Sequence, residues 1–422
     1  MIEVRNELAP YISALRDIVN APDSNYPTSE HSIGLSLDHK VADSAYATAD
    51  VFRNPDLKYI IVVGIGGSNL GTKAVYDAVR GTLDAYTWHK PKMLFADTVS
   101  PRLIYEMTEL LENEVTDESQ VVINLISKSG ATTESIANAG ALIASLAEKI
   151  PNIASRVVVT TNEGSLLWNL AIEREYPLLQ IPTNVGGRYS VLSPVGLFPL
   201  ALADIDVESL RLGAREMVGL ATEVDTLHNP SVRSAIIQAE LYRKGIRINN
   251  TFLFNPELES LGKWYRQLMG ESLGKMHNIK GEEVFAGITP IVSIGSTDLH
   301  SMAQLYFGGP RDKYTTLVYA PQKNLAHVPK DHLFAGIVPA IDGKDFEHAM
   351  NAIYGGVVSA YKQNGLPVNE VRLDVVSERT VGAYLQWKMT EMMYLAKLLN
   401  VNAFDQPNVE DYKQETRRLL GE

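Results

Sequence analysis

The sequence of 422 residues contains no cysteine. Disulfide bonds, thiolate catalysis and cysteine-ligated metal sites are therefore excluded, and an intracellular protein is the simplest expectation. Long apolar runs are missing too, since no stretch approaches the roughly 18 apolar residues that a membrane-spanning helix needs. The opening residues, MIEVRNELAP, lack the apolar core of a signal peptide. We therefore expect a cytoplasmic protein without a membrane partner.

Positive charge is scarce as well, because 38 Lys and Arg residues stand against 50 Asp and Glu residues, giving a formal net charge of -12. An acidic surface disfavours nucleic acid as a partner and makes any local basic cluster informative. The histidines show no HExxH-type spacing, and we expect the pair His327 and His332 to be solvated rather than bound to a metal. With 45% hydrophobic residues, the chain is long enough for two or three globular domains.

Apolar runs alternate with helical patterns along most of the chain. They predict strands after Lys58 and at 93–96, 121–126, 156–160, 248–255, 291–294 and 315–319. Helical spacing predicts helices near 41–52, 257–268 and 381–399, and a helical connection from 204 to 245. Strands that alternate with helices form parallel, doubly wound sheets, and ligands bind at the carboxyl ends of such strands. The sequence therefore predicts an α/β protein with two such units.

The stretch from Gln120 to Ser145 contains the clearest candidate site. Its strand breaks at SKSG, and a helix begins after two threonines. Such a turn gathers the free N–H groups of a helix, several hydroxyls and the Lys128 ammonium around one point, which suits a phosphate. An ordinary capped helix is the alternative, since Ser and Thr are common capping residues.

A second turn of this kind, GIGGS at 64–68, follows the strand after Lys58. Its glycines permit close approach of the backbone to a ligand. Asn69 occupies the third glycine position of G-x-G-x-x-G, so the dinucleotide-binding fingerprint fails. A plain strand-to-helix turn is the alternative.

Four isolated charged or titratable residues are weaker candidates. Arg188 follows two glycines, and His300 follows a Gly-Ser turn at a strand end. Glu271 stands near a helix end among apolar residues, and apolar surroundings favour a carboxylate that serves as a base. Lys413 lies in a charged terminal helix. For Arg188, Glu271 and Lys413 a solvated surface residue is the commoner case.

Five segments, in this order, closely resemble the glucose-6-phosphate isomerase family in its shorter bacterial form: GIGGSNLG, SKSGATTES, VGGRYSVLSPVGL, QLMGES with GSTDLHS, and FDQPNVEDYK. Each segment alone is weak, but the ordered set is specific and spans about residues 60 to 413. The resemblance implies two flavodoxin-like sugar isomerase (SIS) domains, a homodimer, no metal or other cofactor, and interconversion of glucose 6-phosphate and fructose 6-phosphate.

The domain boundaries that follow are a helical N-terminal segment at 1–55, SIS domains at 56–215 and 216–400, and a C-terminal segment at 401–422. The implied phosphate-binding residues are Ser127, Lys128, Ser129, Thr132 and Ser135, assisted by Gly67 and Ser68. The resemblance further implies Glu271 as the base between C2 and C1, with Gln267 on the substrate, and Arg188 as the cation that stabilises the enediolate. It implies His300, from the partner subunit, and Lys413 as the groups that open the sugar ring.

Elementary chemistry agrees with these roles. Exchange between aldose and ketose through an enediol needs a carboxylate base and a fixed cation beside the developing oxyanion, and imidazole suits ring opening near neutral pH. Two alternatives stay open. One is a related isomerase for another phosphosugar, including one that also forms mannose 6-phosphate, and the other is a phosphosugar-sensing regulator. The acidic chain shows no basic DNA-reading segment, which disfavours the regulator.

Overall fold

Two parallel β-sheets organise the fold, and the computed structural model describes residues 2–323 and 325–421. The first sheet has the strand order β2-β1-β3-β4-β5, with β1 (Tyr59–Val63), β2 (Lys92–Ala96), β3 (Val121–Ser127), β4 (Val157–Thr161) and β5 (Leu178–Gln180). The second has the order β11-β10-β6-β9, with β6 (Ile248–Leu253), β9 (Thr289–Ile294), β10 (Lys313–Tyr319) and β11 (Val368–Arg372). A small antiparallel hairpin joins β7 (Lys275–His277) to β8 (Glu283–Ala286).

Helices cover both sheets and connect them. Those before and within the first half are α1 (Ile2–Asn20), α2 (His39–Phe52), α3 (Leu70–Arg80), α4 (Pro101–Glu114), α5 (Thr133–Lys149), α6 (Leu166–Glu173) and α7 (Pro194–Leu202). Those of the second half are α8 (Val207–Ala221), α9 (Pro230–Arg243), α10 (Glu259–Leu273), α11 (Ala303–Gly308), α12 (Phe346–Gln363), α13 (Glu378–Leu398) and α14 (Glu410–Leu420). None of the described helices is long and apolar enough to cross a membrane.

The central strands of the first sheet are buried along their whole length. Every residue of β1 and β3 is buried, and the two strands pair in parallel from Tyr59 opposite Val121 to Val63 opposite Leu125. Strands covered by helices on both faces are typically continuous apolar runs, which is why both were visible in the sequence. The expected α/β architecture with parallel sheets is confirmed, and each sheet falls within one predicted domain, while the domain boundaries stay predictions.

Four features differ from the sequence prediction. The short β5, the hairpin of β7 and β8, and the edge strand β11 were missed, because they are short or only partly buried. Helix α10 continues to Leu273 instead of ending near 268, since its last turns pack against the interior. Glu271 therefore belongs to the last turn of this helix.

A long buried helix, α13, lies at the centre of the helices of the second half. It packs against α8, α9 and α10, and it is buried on nearly all sides. Its Lys388 and Glu391 form an ion pair of 2.9 Å inside the protein. Glu391 also accepts hydrogen bonds from the Tyr265 hydroxyl of α10 at 2.6 Å and from the Gln238 amide of α9 at 2.8 Å. Burial lowers the pKa of Lys388. The pair thus links three helices through one buried carboxylate.

Removing the Lys388 charge should destabilise this core. Lys388→Met leaves the Glu391 carboxylate buried without its cation, and the loss of one partner from a buried pair costs about 3 to 5 kcal/mol. We expect a lower midpoint of denaturant unfolding for Lys388→Met. The double variant Lys388→Met with Glu391→Gln is the control, because it removes both charges and should recover much of the loss. Equal midpoints for Lys388→Met and wild type would contradict the role of the pair.

Candidate active site

The two glycine- and serine-containing turns lie side by side. They follow β1 and β3, which are paired neighbours, so both stand at the carboxyl edge of the first sheet. The loop that carries Arg188 comes against the first turn so closely that a Cβ atom on Gly67 would lie 2.2 Å from the carbonyl carbon of Gly187. Only glycine allows this approach, because real Cβ contacts are never so short. The arrangement brings Arg188 next to the predicted anion site.

The turn after β3 is held by hydrogen bonds among its hydroxyl and amide groups. Ser127 contacts the Thr132 hydroxyl at 2.8 Å and accepts a hydrogen bond from the Gly130 amide at 3.1 Å. Gly130 has a φ of +73°, which glycine adopts without strain, and a Cβ atom there would lie 2.6 Å from the Ser165 hydroxyl. The exposed Ser129 hydroxyl is 3.5 Å from that of Thr132. The predicted hydroxyl cluster at the start of α5 is therefore formed.

Several buried polar groups around these turns have no hydrogen-bond partner among the described residues. They are the Ser135 hydroxyl in the first turns of α5, the side-chain amide nitrogen and oxygen of Asn69, and the side-chain amide oxygen of Gln267. Buried polar groups in folded proteins are nearly always paired, so such atoms mark places where water or a polar ligand belongs. Lys128 belongs to the turn after β3, and the pKa of its ammonium is lowered by burial and further by the Arg188 guanidinium. Two cations thus act on one region.

The Arg188 guanidinium lies at the centre of the site and is almost completely buried. Its Nε donates to the Ser272 hydroxyl at 3.0 Å. One terminal nitrogen donates to the Glu271 carboxylate at 3.0 Å and to the side-chain amide oxygen of Gln406 at 2.6 Å. The other terminal nitrogen donates to the backbone carbonyls of Ala403 at 2.6 Å and Asp405 at 3.1 Å. All five N–H donors are therefore satisfied, and the cation is fixed in place.

Glu271 is held at both carboxylate oxygens. One oxygen accepts from Arg188, and the other accepts from the Gln267 amide at 3.0 Å, one helical turn earlier on α10. A Cβ atom on Gly66 would lie 2.9 Å from that amide, so Gln267 rests against the first glycine turn. A third of the Glu271 side chain is exposed. We expected apolar surroundings for this carboxylate, but the structure surrounds it with the Arg188 cation and the Gln267 amide. Part of the carboxylate stays accessible to solvent.

The structure adds three residues that the sequence analysis did not single out: Ser272, Lys275 and Gln406. Lys275 is buried and donates to the Asp405 carbonyl at 2.7 Å and to the Glu271 carbonyl. Gln406 stands inside the quoted segment FDQPNVEDYK, so the motif contained the signal for it. Ser272 likewise ends the quoted segment QLMGES, whereas Lys275 lies four positions after the candidate base and is identified only by its contacts.

His300 and Lys413 lie outside this cluster. His300 is exposed just beyond β9, in a turn where Asp298 accepts a hydrogen bond from the Ile294 amide at 2.7 Å. Lys413 forms an ion pair of 2.7 Å with Glu410 on its own helix. In the parts of the chain that the structure describes, no hydrogen bond or ion pair connects either residue to Glu271 or Arg188. Their predicted roles therefore stay predictions.

Metal ligands are not clustered in the described ranges, where no three His, Asp or Glu side chains are arranged to hold an ion. His327 is exposed, and His332 contacts Asp342 at 3.0 Å.

Comparison with known proteins shows the family to which the chain belongs. The family model for phosphoglucose isomerase matches residues 50–422. Glucose-6-phosphate isomerase of Carboxydothermus hydrogenoformans is 34% identical over 371 residues, which cover 86% of this chain and 79% of the relative. The enzyme of the same name from Methanocaldococcus jannaschii is 33% identical over 362 residues, covering 86% and 84%.

Solved structures share the fold. A hypothetical protein of Thermus thermophilus aligns over 100% of this chain and 97% of its own, with a TM-score of 0.87 and 27% identity. A glucose-6-phosphate isomerase of Chlamydia trachomatis aligns over 99% and 85%, with a TM-score of 0.81 and 18% identity. The match of the family model, together with relatives above 30% identity over most of both chains, shows that this chain belongs to the phosphoglucose isomerase family.

Proposed function

We propose that this protein interconverts glucose 6-phosphate and fructose 6-phosphate by ring opening and proton transfer through an enediol. The observation that carries the proposal is the fixed pair of Glu271 and Arg188, which sets a carboxylate base and a cation beside a hydroxyl-lined turn. Membership of the phosphoglucose isomerase family and the names of the curated relatives support the same reaction. The substrate keeps its overall oxidation state, so the reaction needs no cofactor.

The phosphate would bind at the start of α5. The hydroxyls of Ser127, Ser129, Thr132 and Ser135 and the N–H groups of the helix start are donors for phosphate oxygens, and Gly67 and Ser68 lie on the neighbouring turn. The field of a helix N-terminus favours an anion by about 0.3 to 1 kcal/mol. The Lys128 ammonium adds a full charge. The unpaired Ser135 hydroxyl is a ready donor at this position.

Glu271 would take the proton from C2 of the open-chain aldose and return it to C1. Its position suits this task, because Arg188 and Gln267 hold the carboxylate while one side stays accessible. Loss of the C2 proton leaves negative charge on the enediolate oxygens. The Arg188 guanidinium can offset this charge without moving, since its neighbours already fix it. Gln267 would also contact the substrate.

Ring opening requires a proton at the ring oxygen and removal of the proton from the anomeric hydroxyl. His300 and Lys413 would perform this step, with His300 supplied by a second copy of the chain in a homodimer. The exposed position of His300 beyond the edge strand β9 supports such sharing. The segment 325–346 presents several exposed apolar side chains, among them Leu333 and Ile337, and large exposed apolar surfaces typically mark protein contacts. We expect the dimer in the cytoplasm.

A coupled spectrophotometric assay of fructose 6-phosphate conversion, run with EDTA, tests the proposal. We expect EDTA-resistant turnover by wild type and a loss of at least about 10³-fold in kcat for Glu271→Gln, because the amide cannot accept the proton. Binding of phosphosugar by Glu271→Gln should stay close to wild type in calorimetry. The matched control is Glu282→Gln, an exposed position in the β7–β8 turn. Folded wild type without turnover would refute the proposed reaction.

The Lys128 ammonium should set phosphate affinity. Lys128→Ala removes a charge-assisted contact of about 1.5 to 3 kcal/mol, so KM should rise roughly 10- to 100-fold with a smaller change in kcat. Because the pKa of Lys128 is lowered in the free protein, the wild-type KM should rise with pH before an ordinary lysine would titrate. Lys128→Arg should move that rise to higher pH, since arginine stays charged. An unchanged KM in Lys128→Ala would move the phosphate elsewhere.

Complementation tests whether His300 crosses between subunits. His300→Ala and Glu271→Gln are each expected to be inactive. Co-expressed with different tags, they form hybrid dimers in which one site has both an intact Glu271 and the partner's intact His300. A statistical mixture should regain about a quarter of wild-type activity, and purified hybrids about half. If both residues of one site came from the same chain, no hybrid would regain activity.

A further inference from the structure

Two buried cations, Arg188 and Lys275, donate hydrogen bonds to the segment 403–406. Arg188 donates to the carbonyls of Ala403 and Asp405 and to the Gln406 side chain. Lys275 donates to the Asp405 carbonyl at 2.7 Å, and its ammonium lies 3.3 Å from an Asp405 carboxylate oxygen. The segment is otherwise an exposed stretch between α13 and α14, apart from Ala403 and the half-buried Phe404. Phe404 also packs against the Tyr189 ring, and the two cations supply the buried polar contacts of the segment.

Lys275 is buried and donates to backbone carbonyls, whereas the partly exposed Lys413 pairs with Glu410 on its own helix. The Lys275 side chain is only 3% exposed, and its remaining donor goes to the carbonyl of Glu271, the residue four positions earlier. Burial lowers the pKa of Lys275, and the Arg188 guanidinium lowers it further, while Asp405 opposes the shift. An ammonium without access to water must keep its protein acceptors, so these bonds are held tightly.

We propose that Lys275 is a positioning residue that ties the end of α10, which carries Glu271, to the segment 403–406, and thereby fixes where Lys413 stands. This inference rests on the proposed function, in which Glu271 moves the proton and Lys413 takes part in opening the sugar ring. Segment 403–406 leads through the turn Pro407–Val409 directly into α14, where Lys413 lies in the first turns. A shift of this segment therefore shifts Lys413 relative to Glu271. Lys275 itself contacts backbone carbonyls and needs no contact with substrate.

The test compares Lys275→Met with Lys280→Met, an exposed lysine of the β7–β8 turn that serves as the matched control. Amide hydrogen exchange of peptides from 403–413 should accelerate at least about 10-fold in Lys275→Met and stay at wild-type rates in the control, with β3 peptides unchanged in both. On fructose 6-phosphate, kcat should fall about 10- to 100-fold, as small misplacements of reacting groups do. KM should change less than about threefold, because the phosphate turn is untouched.

The exchange measurement needs no turnover, so it separates failure of this inference from failure of the proposed reaction. Inactive wild type together with faster exchange in Lys275→Met would refute the reaction and keep the tether. Unchanged exchange in folded Lys275→Met would overturn the tether, and faster exchange with an unchanged kcat would overturn the positioning role. If Lys275→Met does not fold, Asp405→Asn removes only the ion pair at an exposed residue. It should change exchange and kcat in the same direction but less, and no change in either would overturn the inference.

Discussion

The buried guanidinium of Arg188 makes the interactions on which the candidate site depends. Arg188 comes from a loop at the edge of the first sheet, yet its five hydrogen bonds end on α10 and on the segment 403–406. A buried charge is stable only when it is fully paired, so each of these partners must be in place for the protein to hold the cation. The requirement joins three distant parts of the sequence at one point. The same cation then faces the carboxylate that would move the proton.

Helix α10 is the rigid part on which the candidate base stands. Tyr265 anchors it in the interior through Glu391 of α13, and Lys275, just beyond its last residue, ties its end to the C-terminal segment. On the other side, Gln267 rests against the turn of Gly66. Buried networks of this kind restrict side-chain motion because every member must keep its partner. These polar groups thus hold the base, the cation and the glycine turn in one arrangement.

Much of this fold was predictable from the sequence, and the reasons are physical. Strands such as β1 and β3 are buried on both faces and show continuous apolar runs, whereas β11, with the sequence VNEVR, is an edge strand with polar residues that no apolar pattern could reveal. The hydroxyl-lined turn was found because strand, turn and helix are contiguous. Arg188 and Gln406 meet across 218 residues, and no local pattern records such a contact.

The roles of single residues needed more than local pattern. The local sequence around Lys413 is typical of a surface lysine, and in the structure its exposed ion pair with Glu410 is typical of one as well. Only the ordered set of five segments pointed to a function for it. The buried contact of Lys275 with Asp405 was invisible for the opposite reason, since it depends on a C-terminal segment that returns to the end of α10 after more than 100 residues of intervening chain.

Hydrogen exchange at carbon tests the central claim, that Glu271 transfers a proton between C2 and C1 beside Arg188. Glucose 6-phosphate is incubated with enzyme in D₂O, and NMR follows deuterium at C1 of the fructose 6-phosphate formed and at C2 of the glucose 6-phosphate in the equilibrating mixture. A carboxylate base exchanges its proton with solvent, so wild type should introduce deuterium and Glu271→Gln should not. Deuterium incorporation by Glu271→Gln at the wild-type rate would contradict the account.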